Sequence, residues 1–371
     1  MSSFLQELNA LDLPSFFEIA SKIDSQTIEQ SLAREIKTLE DFCALISPTA
    51  STYLESLAQA SHRLTVQRFG RVIQLYAPLY VSNECVDTCT YCGFSRENEI
   101  IRLTLKPLEV LREARYLFKS GFRHLLLVSG EHPKFTPPEY ISQVVTLLHK
   151  EIPSLSLELA PQTEQVYQDW VKAGAEGLVV YQETYQREDY NEVHLAGKKK
   201  NYEWRLETPE RGARAGMKRL GIGILLGISD WRKDAICLAA HAKFLMKQFW
   251  RCQLTLSLPR IRPAAGGFQP KHMISDREFA QLICALRLFL PDAGIILSTR
   301  ETPGLRNGLM KLGVTHMSAG SRTEPGGYEN PNGAEGQFEI EDTRSPEEVS
   351  AAIGKAGYEA VWKDWEAALN D

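Results

Sequence analysis

The sequence predicts an α/β fold: a TIM-type (β/α)8 barrel with an N-terminal helical extension. Eight short apolar runs rich in β-branched residues alternate with amphipathic segments, a pattern typical of a parallel sheet covered by helices. Polar or charged residues follow every one of the eight runs, and barrel enzymes carry their functional groups on the loops after the strands. An open doubly wound sheet is the alternative, but it needs no eighth strand.

The chain divides into three predicted parts. Residues 1–70 carry apolar residues at helical spacing and predict the helical extension, and residues 71–330 form the barrel. Residues 331–371 are expected to form a C-terminal tail and helices that pack on the barrel. The predicted strands are 72–81, 123–129, 155–160, 177–181, 220–226, 253–259, 294–298 and 314–318. The predicted helices between them include 106–120, 138–150, 163–173, 209–219, 231–249 and 276–289.

Composition excludes several classes of protein. The chain has 371 residues, of which 43% are hydrophobic and 24% charged, and its net charge of −5 argues against bulk nucleic-acid binding. No apolar run reaches the ~20 residues that span a bilayer, and the N-terminus lacks the features of a secretory signal. Seven cysteines, three of them clustered, indicate a reducing compartment. We therefore expect a cytoplasmic protein that binds no membrane.

Cys85, Cys89 and Cys92 form the main motif, spaced Cys-x3-Cys-x2-Cys in the loop after the first run. Thiolates are soft ligands that select iron–sulfur clusters, zinc or copper(I). No fourth cysteine stands near, so a 4Fe-4S cluster held here would keep one iron open, which predicts catalysis. The alternative is a structural zinc site, but its nearest candidate fourth ligand, His62, lies outside the usual spacing.

This motif, with Tyr91 before the last cysteine, resembles that of the radical S-adenosylmethionine (SAM) superfamily. The resemblance implies that the open iron chelates the amino and carboxylate groups of SAM and that Tyr91 lies beside the adenine. It also implies that Ser129, Gly130 and Glu131 hold the SAM amino group. The superfamily has Gly-Gly-Glu there, and Ser129 replaces its first glycine; a plain strand-to-loop turn is the alternative.

Gly223 and Gly227 are similar to the glycine-spaced strand that lies along the adenine in this superfamily. Glycine inside a strand marks the close approach of a ligand or of another backbone. Tight packing inside the barrel is therefore the alternative for both residues.

Four further residues are assigned to SAM by the same resemblance. Arg205 would meet the SAM carboxylate, because arginine binds carboxylates with two parallel hydrogen bonds. Glu158 and Gln182 or Glu183, at strand ends, would reach the ribose hydroxyls or the amine. The charge run Lys198–Lys200 is interpreted as a solvated loop.

Substrate contacts are predicted on the side of the barrel away from the residues assigned to SAM. Arg300 and Ser321 follow the seventh and eighth runs, and Tyr80 ends the first. A buried arginine requires an anionic ligand or a carboxylate partner, and Glu301 is the obvious partner if no ligand binds.

Seven segments together resemble the 2-iminoacetate synthase family, the tyrosine lyases of bacterial thiamine thiazole biosynthesis. The resemblance implies cleavage of the Cα–Cβ bond of L-tyrosine to 2-iminoacetate (dehydroglycine) and p-cresol, with 5′-deoxyadenosine and methionine as further products. It also implies thiazole synthase as a partner and reduced flavodoxin or ferredoxin as the electron donor. The segments are YCGFS (91–95), LLLVSGEH (125–132), VYQETY (180–185), WRLETP (204–209), LSTRE (297–301), PGGY (325–328) and VWKDW (361–365).

Two other functions stay open. The first is another radical SAM aromatic amino-acid lyase, because no residue is assigned to the substrate ring. The related tyrosine lyases of iron-hydrogenase maturation carry a second cysteine set in a C-terminal extension, whereas no cysteine follows Cys284 here. The second is a non-catalytic barrel stapled by a metal, which would cleave no SAM.

Overall fold

A computed structural model describes residues 3–329, 331 and 333–362, and its centre is a closed barrel of eight parallel strands. Each strand pairs with the next along the chain, and the last pairs with the first in the register Gln74 to His316. This closure confirms the predicted barrel and excludes the open sheet. The strands are β1 (Val72–Ser82), β2 (His124–Ser129), β3 (Ser154–Glu158), β4 (Gly177–Glu183), β5 (Arg219–Ile224), β6 (Gln253–Ser257), β7 (Gly294–Leu297) and β8 (His316–Ser318).

Helices cover the outside of the barrel, and many begin at a side-chain cap. Thr163 accepts a hydrogen bond from the N–H of Val166, and Ser275 forms a reciprocal pair with Glu278. The helices after β1 are α6 (Pro107–Lys119), α7 (Pro138–Leu148), α8 (Glu164–Ala173), α9 (Arg187–Val193), α10 (Tyr202–Leu206), α11 (Thr208–Arg214), α12 (Trp231–Gln248), α13 (Asp276–Phe289), α14 (Pro303–Leu309) and α15 (Pro346–Lys355), and Lys198–Lys200 form a 3₁₀ turn.

The prediction of one helix over 209–219 was too long. Helix α11 ends at Arg214, and Gly216 has φ +100°, a left-handed conformation that stops a helix. The N–H of Met217 then bonds to the carbonyl of Gly212, and β5 begins at Arg219.

The segment before the barrel is helical and shares the core of the barrel helices. Phe42 of this segment packs on Phe289 of α13, with ring centroids 5.3 Å apart. Phe4 stacks on His241 of α12 at 4.0 Å. The elements are α1 (Phe4–Ala10), α2 (Leu13–Ser21), α3 (Ser25–Ala33), α4 (Leu39–Leu45), a 3₁₀ turn (Thr49–Tyr53) and α5 (Leu54–Phe69).

Two small strand pairings complete the fold. Thr88–Cys89 pairs antiparallel with His194–Ala196, and Glu359–Val361 pairs with the first residues of β1. Trp362 packs against Phe122 at 5.3 Å, whereas residues 363–365 of the VWKDW segment lie outside the described residues. In the described part of the chain, no helix is long and apolar enough to cross a membrane.

Candidate active site

The cysteine loop, residues 83–106, is shaped by its own backbone and by one arginine. The Arg102 guanidinium donates hydrogen bonds to the carbonyls of Asn83, Phe94, Ser95 and Asn98 at 2.7 to 3.1 Å. Five N–H donors in a fixed fork suit arginine to gathering several carbonyls. The loop therefore has internal support beyond any metal, and sequence reasoning missed Arg102 because carbonyl binding leaves no motif.

The loop is anchored on the end of β2. The N–H of Val86 donates to the carbonyl of Glu131 at 2.8 Å, and the N–H of Gly130 donates to the carbonyl of Ser82 at 3.0 Å. A Cβ atom at Gly130 would collide with the carbonyl of Glu84 and stand 3.2 Å from the Cβ of Cys85. Glycine is required here because the cysteine loop lies directly against it.

Cys85, Cys89 and Cys92 line one cavity and are all free thiols. Among the described residues, no three His, Cys, Asp or Glu side chains converge on one metal position. A 4Fe-4S cluster can take one thiolate on each of three irons, so its ligands need not meet at a single metal position. Burial and the charge of Asp87 raise the pKa of the Cys85 thiol to about 12, so its thiolate would depend on metal binding. The donor set fits a 4Fe-4S cluster.

We call this space the outer cavity; it measures about 970 Å³, including the part open to solvent, and it also borders most of the predicted SAM residues. The Tyr91 hydroxyl lies 2.8 Å from Nε2 of His194, which fixes the ring at the cavity wall. Burial and the charge of Asp87 raise the pKa of Glu131 to about 8. The other predicted residues at its wall are Ser129, Gly130, Glu158, Glu183 and Arg205.

An ion triad occupies one wall of the outer cavity. Glu183 Oε1 accepts from Lys199 Nζ at 2.8 Å and from an Arg205 terminal nitrogen at 3.2 Å. Burial opposes ionisation of Glu183, but the charges of Lys199 and Arg205 outweigh it and lower its pKa. Arg205 also donates to the carbonyl of Tyr181 at 2.6 Å. The SAM role predicted for Arg205 is untested, but its guanidinium already has a carboxylate partner.

The interpretation of the lysine run as a solvated loop was wrong for its middle residue. Lys198 and Lys200 are exposed, whereas Lys199 turns inward and its side chain keeps 17% of its exposure. The N–H of Lys199 donates to Asp87 beside the cysteines at 3.1 Å. Nothing in a run of three identical residues tells which one turns inward.

Three predicted cofactor residues do not border the outer cavity. Gln182 is buried and lies 3.5 Å from the carbonyl of Tyr202, facing away from its neighbour Glu183. A Cβ at Gly223 would meet Tyr181 and the backbone of β6, and Gly227 has φ +121°. Gly223 thus serves the tight packing that the sequence left as the alternative, whereas the φ of Gly227 serves a turn that was not predicted; direct contact of either residue with the cofactor stays a prediction.

A second cavity, the inner cavity, continues into the barrel and measures about 700 Å³, including the part open to solvent. It contains the three residues predicted to contact substrate. The Tyr80 hydroxyl donates to Gln337 at 2.9 Å, and the buried Ser321 hydroxyl has no hydrogen-bond partner among the described residues. The walls shared with the outer cavity are Val128, Glu158, Tyr181, Pro259, Arg300, Gln337 and Phe338.

Arg300 lies at the junction of the two cavities and has no carboxylate partner within the described residues. Its guanidinium lies 3.3 Å from the Phe338 ring centroid and donates to the carbonyl of Arg260 at 3.3 Å. The proposed alternative partner, Glu301, is instead paired with Arg260 and Arg262, so that alternative is wrong. Burial lowers the pKa of Arg300, and a ligand carboxylate would relieve this cost.

Gln337 and Phe338 are wall residues that sequence reasoning missed. They lie in the stretch predicted only as a tail, which crosses the barrel mouth and bonds to it through Gly93 and Thr323. The Gln337 amide approaches Cys92 Sγ at 3.7 Å, so this crossing segment touches both the cysteine loop and the inner cavity. A polar and an aromatic residue in an irregular segment carry no periodic signal.

Two family models match the chain. The Radical SAM superfamily model covers residues 79–237, and the Biotin and Thiamin Synthesis associated domain covers residues 257–359. The first match agrees with the closed barrel and the cysteine loop, and it assigns residues 79–237 to the radical SAM superfamily.

Individual relatives narrow the assignment. The chain is 41% identical over its whole length to 2-iminoacetate synthase of Escherichia coli (strain K12), covering 98% of that protein. It is 40% identical to 2-iminoacetate synthase of Salmonella typhimurium, over 95% of this chain and 94% of that one. The chain belongs to the 2-iminoacetate synthase family.

Solved structures agree with this fold. The HydG maturase of the [FeFe]-hydrogenase superposes with a TM-score of 0.89 at 32% identity, over 95% of this chain and 79% of that chain. HydG from Carboxydothermus hydrogenoformans gives a TM-score of 0.86 at 34% identity, over 98% and 83%.

Proposed function

We propose that this chain cleaves the Cα–Cβ bond of L-tyrosine to 2-iminoacetate and p-cresol, with SAM converted to 5′-deoxyadenosine and methionine. One observation beyond family membership carries the proposal: Arg300, an arginine without a carboxylate partner among the described residues, stands where the inner cavity opens to the cysteines. An amino acid bound there would place its carboxylate on a guanidinium and its amine toward the cofactor.

Cys85, Cys89 and Cys92 would hold a 4Fe-4S cluster. When bound and reduced, the cluster supplies the electron that cleaves SAM to a 5′-deoxyadenosyl radical. Tyr91, Ser129, Gly130, Glu131 and the Glu183 triad border the volume that SAM would fill, and contacts with its adenine, amine and ribose are proposed for them.

The protein's own residues position the substrate and exclude water. The Arg300 guanidinium packs on the Phe338 ring, 3.3 Å from its centroid, and this contact would help to position it for a substrate carboxylate. Tyr80 and Ser321 offer hydroxyls at the wall of the inner cavity. The amine then faces the outer cavity, where its hydrogen is removed, and a misplacement of ~1 Å could cost ~100-fold in rate.

The proposal also covers the electron donor, the protein partner and the cellular compartment. A reductant is needed, and we propose reduced flavodoxin or ferredoxin in the cytoplasm. 2-Iminoacetate hydrolyses in water, so we also propose direct transfer to thiazole synthase. Anaerobic co-purification tests that transfer complex, and consistently separate elution of the two proteins would count against a stable assembly.

The test of the activity is anaerobic reconstitution with iron and sulfide followed by product analysis. With SAM, reductant and L-tyrosine we expect p-cresol and deoxyadenosine in comparable amounts. Equal turnover of tryptophan would favour a broader aromatic lyase. Absence of SAM cleavage by a fully reconstituted protein would favour the metal-stapled barrel.

A further inference from the structure

We propose that Glu158 acts on the substrate, accepting a proton from the α-ammonium group of the bound amino acid before hydrogen is removed from the amine. This inference rests on the proposed tyrosine lyase activity. It differs from the sequence-based prediction that Glu158 contacts SAM.

The first observation is the position of Glu158. It ends β3, Arg300 follows β7, and these strands are four places apart in the ring of eight, so the two residues face each other across the barrel. Both border the outer and the inner cavity. A zwitterion whose carboxylate lies on Arg300 would find its counter-charge for the ammonium in Glu158.

The second observation is that the Glu158 carboxylate is not bound to another side chain of the described structure. Across the described ranges, its side chain has no hydrogen bond or ion pair with the protein. The other glutamates at these cavities are engaged: Glu183 with Lys199 and Arg205, Glu301 with two arginines, and Glu131 with Asp87. A carboxylate enclosed without a partner is costly, which points to a cationic ligand group.

The chemistry requires a base near the amine. An ammonium nitrogen has no lone pair to stabilise a radical, so hydrogen removal at nitrogen becomes favourable only after the proton has left. Transfer from R–NH3⁺ to the Glu158 carboxylate gives R–NH2 and a neutral carboxylic acid, with no electron moved and no net change of charge. Efficient proton acceptors have a pKa near the working pH.

Glu158 meets that condition. Burial, followed by the charge of Glu183, raises the pKa of Glu158 to about 7. The pKa of Glu131 in the outer cavity, raised to about 8 by burial and the charge of Asp87, also lies near neutral pH, so the role of Glu158 is taken from the difference between the wild type and Glu158→Gln. The remaining groups facing Glu158 do not titrate with it. Arg300, Lys199 and Arg205 stay cationic near neutral pH, and the lowered pKa of Glu183 keeps it anionic. The facing phenols stay neutral because their pKa values are raised; they are Tyr76, Tyr80 and Tyr181.

The test compares Glu158→Gln with the wild type as reconstituted holoenzymes. We expect unchanged cluster absorbance and SAM binding. Tyrosine binding should weaken by about 10- to 100-fold, the range for one charged hydrogen bond. The des-amino analogue 3-(4-hydroxyphenyl)propanoate should bind equally well or better, because its anion no longer faces a carboxylate. Equal weakening for both ligands, or weakened SAM binding, would overturn the proposal.

The pH profile of p-cresol formation gives an independent readout. In the wild type the rate should rise with pH as Glu158 loses its proton near pH 7. In Glu158→Gln this rise should move to the higher pH at which the substrate amine deprotonates in solution, and Glu158→Asp should restore part of the original profile. An unmoved profile would refute the role.

Glu164→Gln is the matched control, since Glu164 lies on the outer surface and pairs with Arg214. It should behave as the wild type. A wild-type enzyme that forms no p-cresol would contradict the proposed function itself, whereas active wild type with an unaffected Glu158→Gln profile contradicts only the role of Glu158.

Discussion

The two cavities of the barrel hold their charges in different ways. In the outer cavity Arg205, Lys199 and Glu183 neutralise one another before any ligand arrives. At the junction with the inner cavity, Arg300 and Glu158 have no ion-pair partner among the described residues. Each is close enough for its charge to influence the pKa of the other. In the proposed function, the first arrangement would be a fixed framework for the cofactor, and the second would offer two opposite charges to a zwitterionic substrate.

The largest expected effect belongs to the outer cavity alone. Replacing Cys85, Cys89 or Cys92 by Ala should abolish SAM cleavage, because the three thiolates would together hold the cluster that supplies the electron. The fold should persist, since Arg102 and the β2 anchor shape the loop independently. Absorbance of the reconstituted cluster and deoxyadenosine formation measure this.

Cys237→Ala and Cys284→Ala are the controls, because both thiols are buried in helices and border neither cavity. They should lower only the free energy of unfolding. Full activity of any variant of the three loop cysteines would contradict the cluster assignment.

The next largest effect is a difference in unfolding free energy between variants of Arg205 and Arg300. Arg205→Met leaves Glu183 buried with one cation fewer and should lower the free energy of unfolding by about 3 kcal/mol. Arg300→Met removes a guanidinium that has no carboxylate partner in the described structure and should cost less than about 1 kcal/mol. Thermal or denaturant unfolding of the two apo-proteins measures the difference. Equal losses would mean that Arg300 is held by the protein and not kept for a ligand.

A smaller effect tests what Arg300 recognises. Arg300→Lys keeps the charge but cannot reproduce two parallel hydrogen bonds to a carboxylate, so tyrosine binding should weaken by roughly 1.5–3 kcal/mol. SAM binding and the cluster should be unchanged. Deoxyadenosine would still form while p-cresol falls much further. A proportional fall of both products with unchanged tyrosine affinity would exclude Arg300 as the clamp.

The barrel was predictable because strand and helix periodicity is a property of local sequence. All eight strands were confirmed, with boundaries shifted by a few residues, as at the start of β8, which is His316 where 314 was predicted. The cysteine motif was predictable because its spacing suits one loop. The side chains that line the cavities were harder to predict. Gln182 and Glu183 are neighbours in the sequence, yet only Glu183 faces the outer cavity. Glu183 has φ 72° and lies beside a register shift in β4, and neither feature can be read from the sequence. Lys199 and Gln337 depend on how irregular segments fold back, which local sequence does not encode.

The smallest expected effect concerns what holds the end of β4 in place behind the triad. Asp234 accepts hydrogen bonds from the Thr184 hydroxyl at 3.0 Å and the Tyr185 N–H at 2.8 Å, directly after Glu183. Burial raises the pKa of Asp234 to about 7. A carboxyl with a raised folded pKa stabilises the fold fully below its unfolded pKa of ~3.9, and that contribution is lost as pH rises toward the folded value.

Relative to Asp234→Asn, the wild type should therefore lose about 1 kcal/mol of unfolding free energy between about pH 6 and pH 7. Asparagine keeps an oxygen that can accept the same two hydrogen bonds, so SAM cleavage should be unchanged. Denaturant unfolding of both apo-proteins across this range gives the difference. Parallel pH curves would show that Asp234 is already ionised in the fold. An ionised Asp234 would then add a negative charge behind the outer cavity. The outer cavity would differ from the junction at Arg300 and Glu158 only in that its charged side chains form ion pairs with one another.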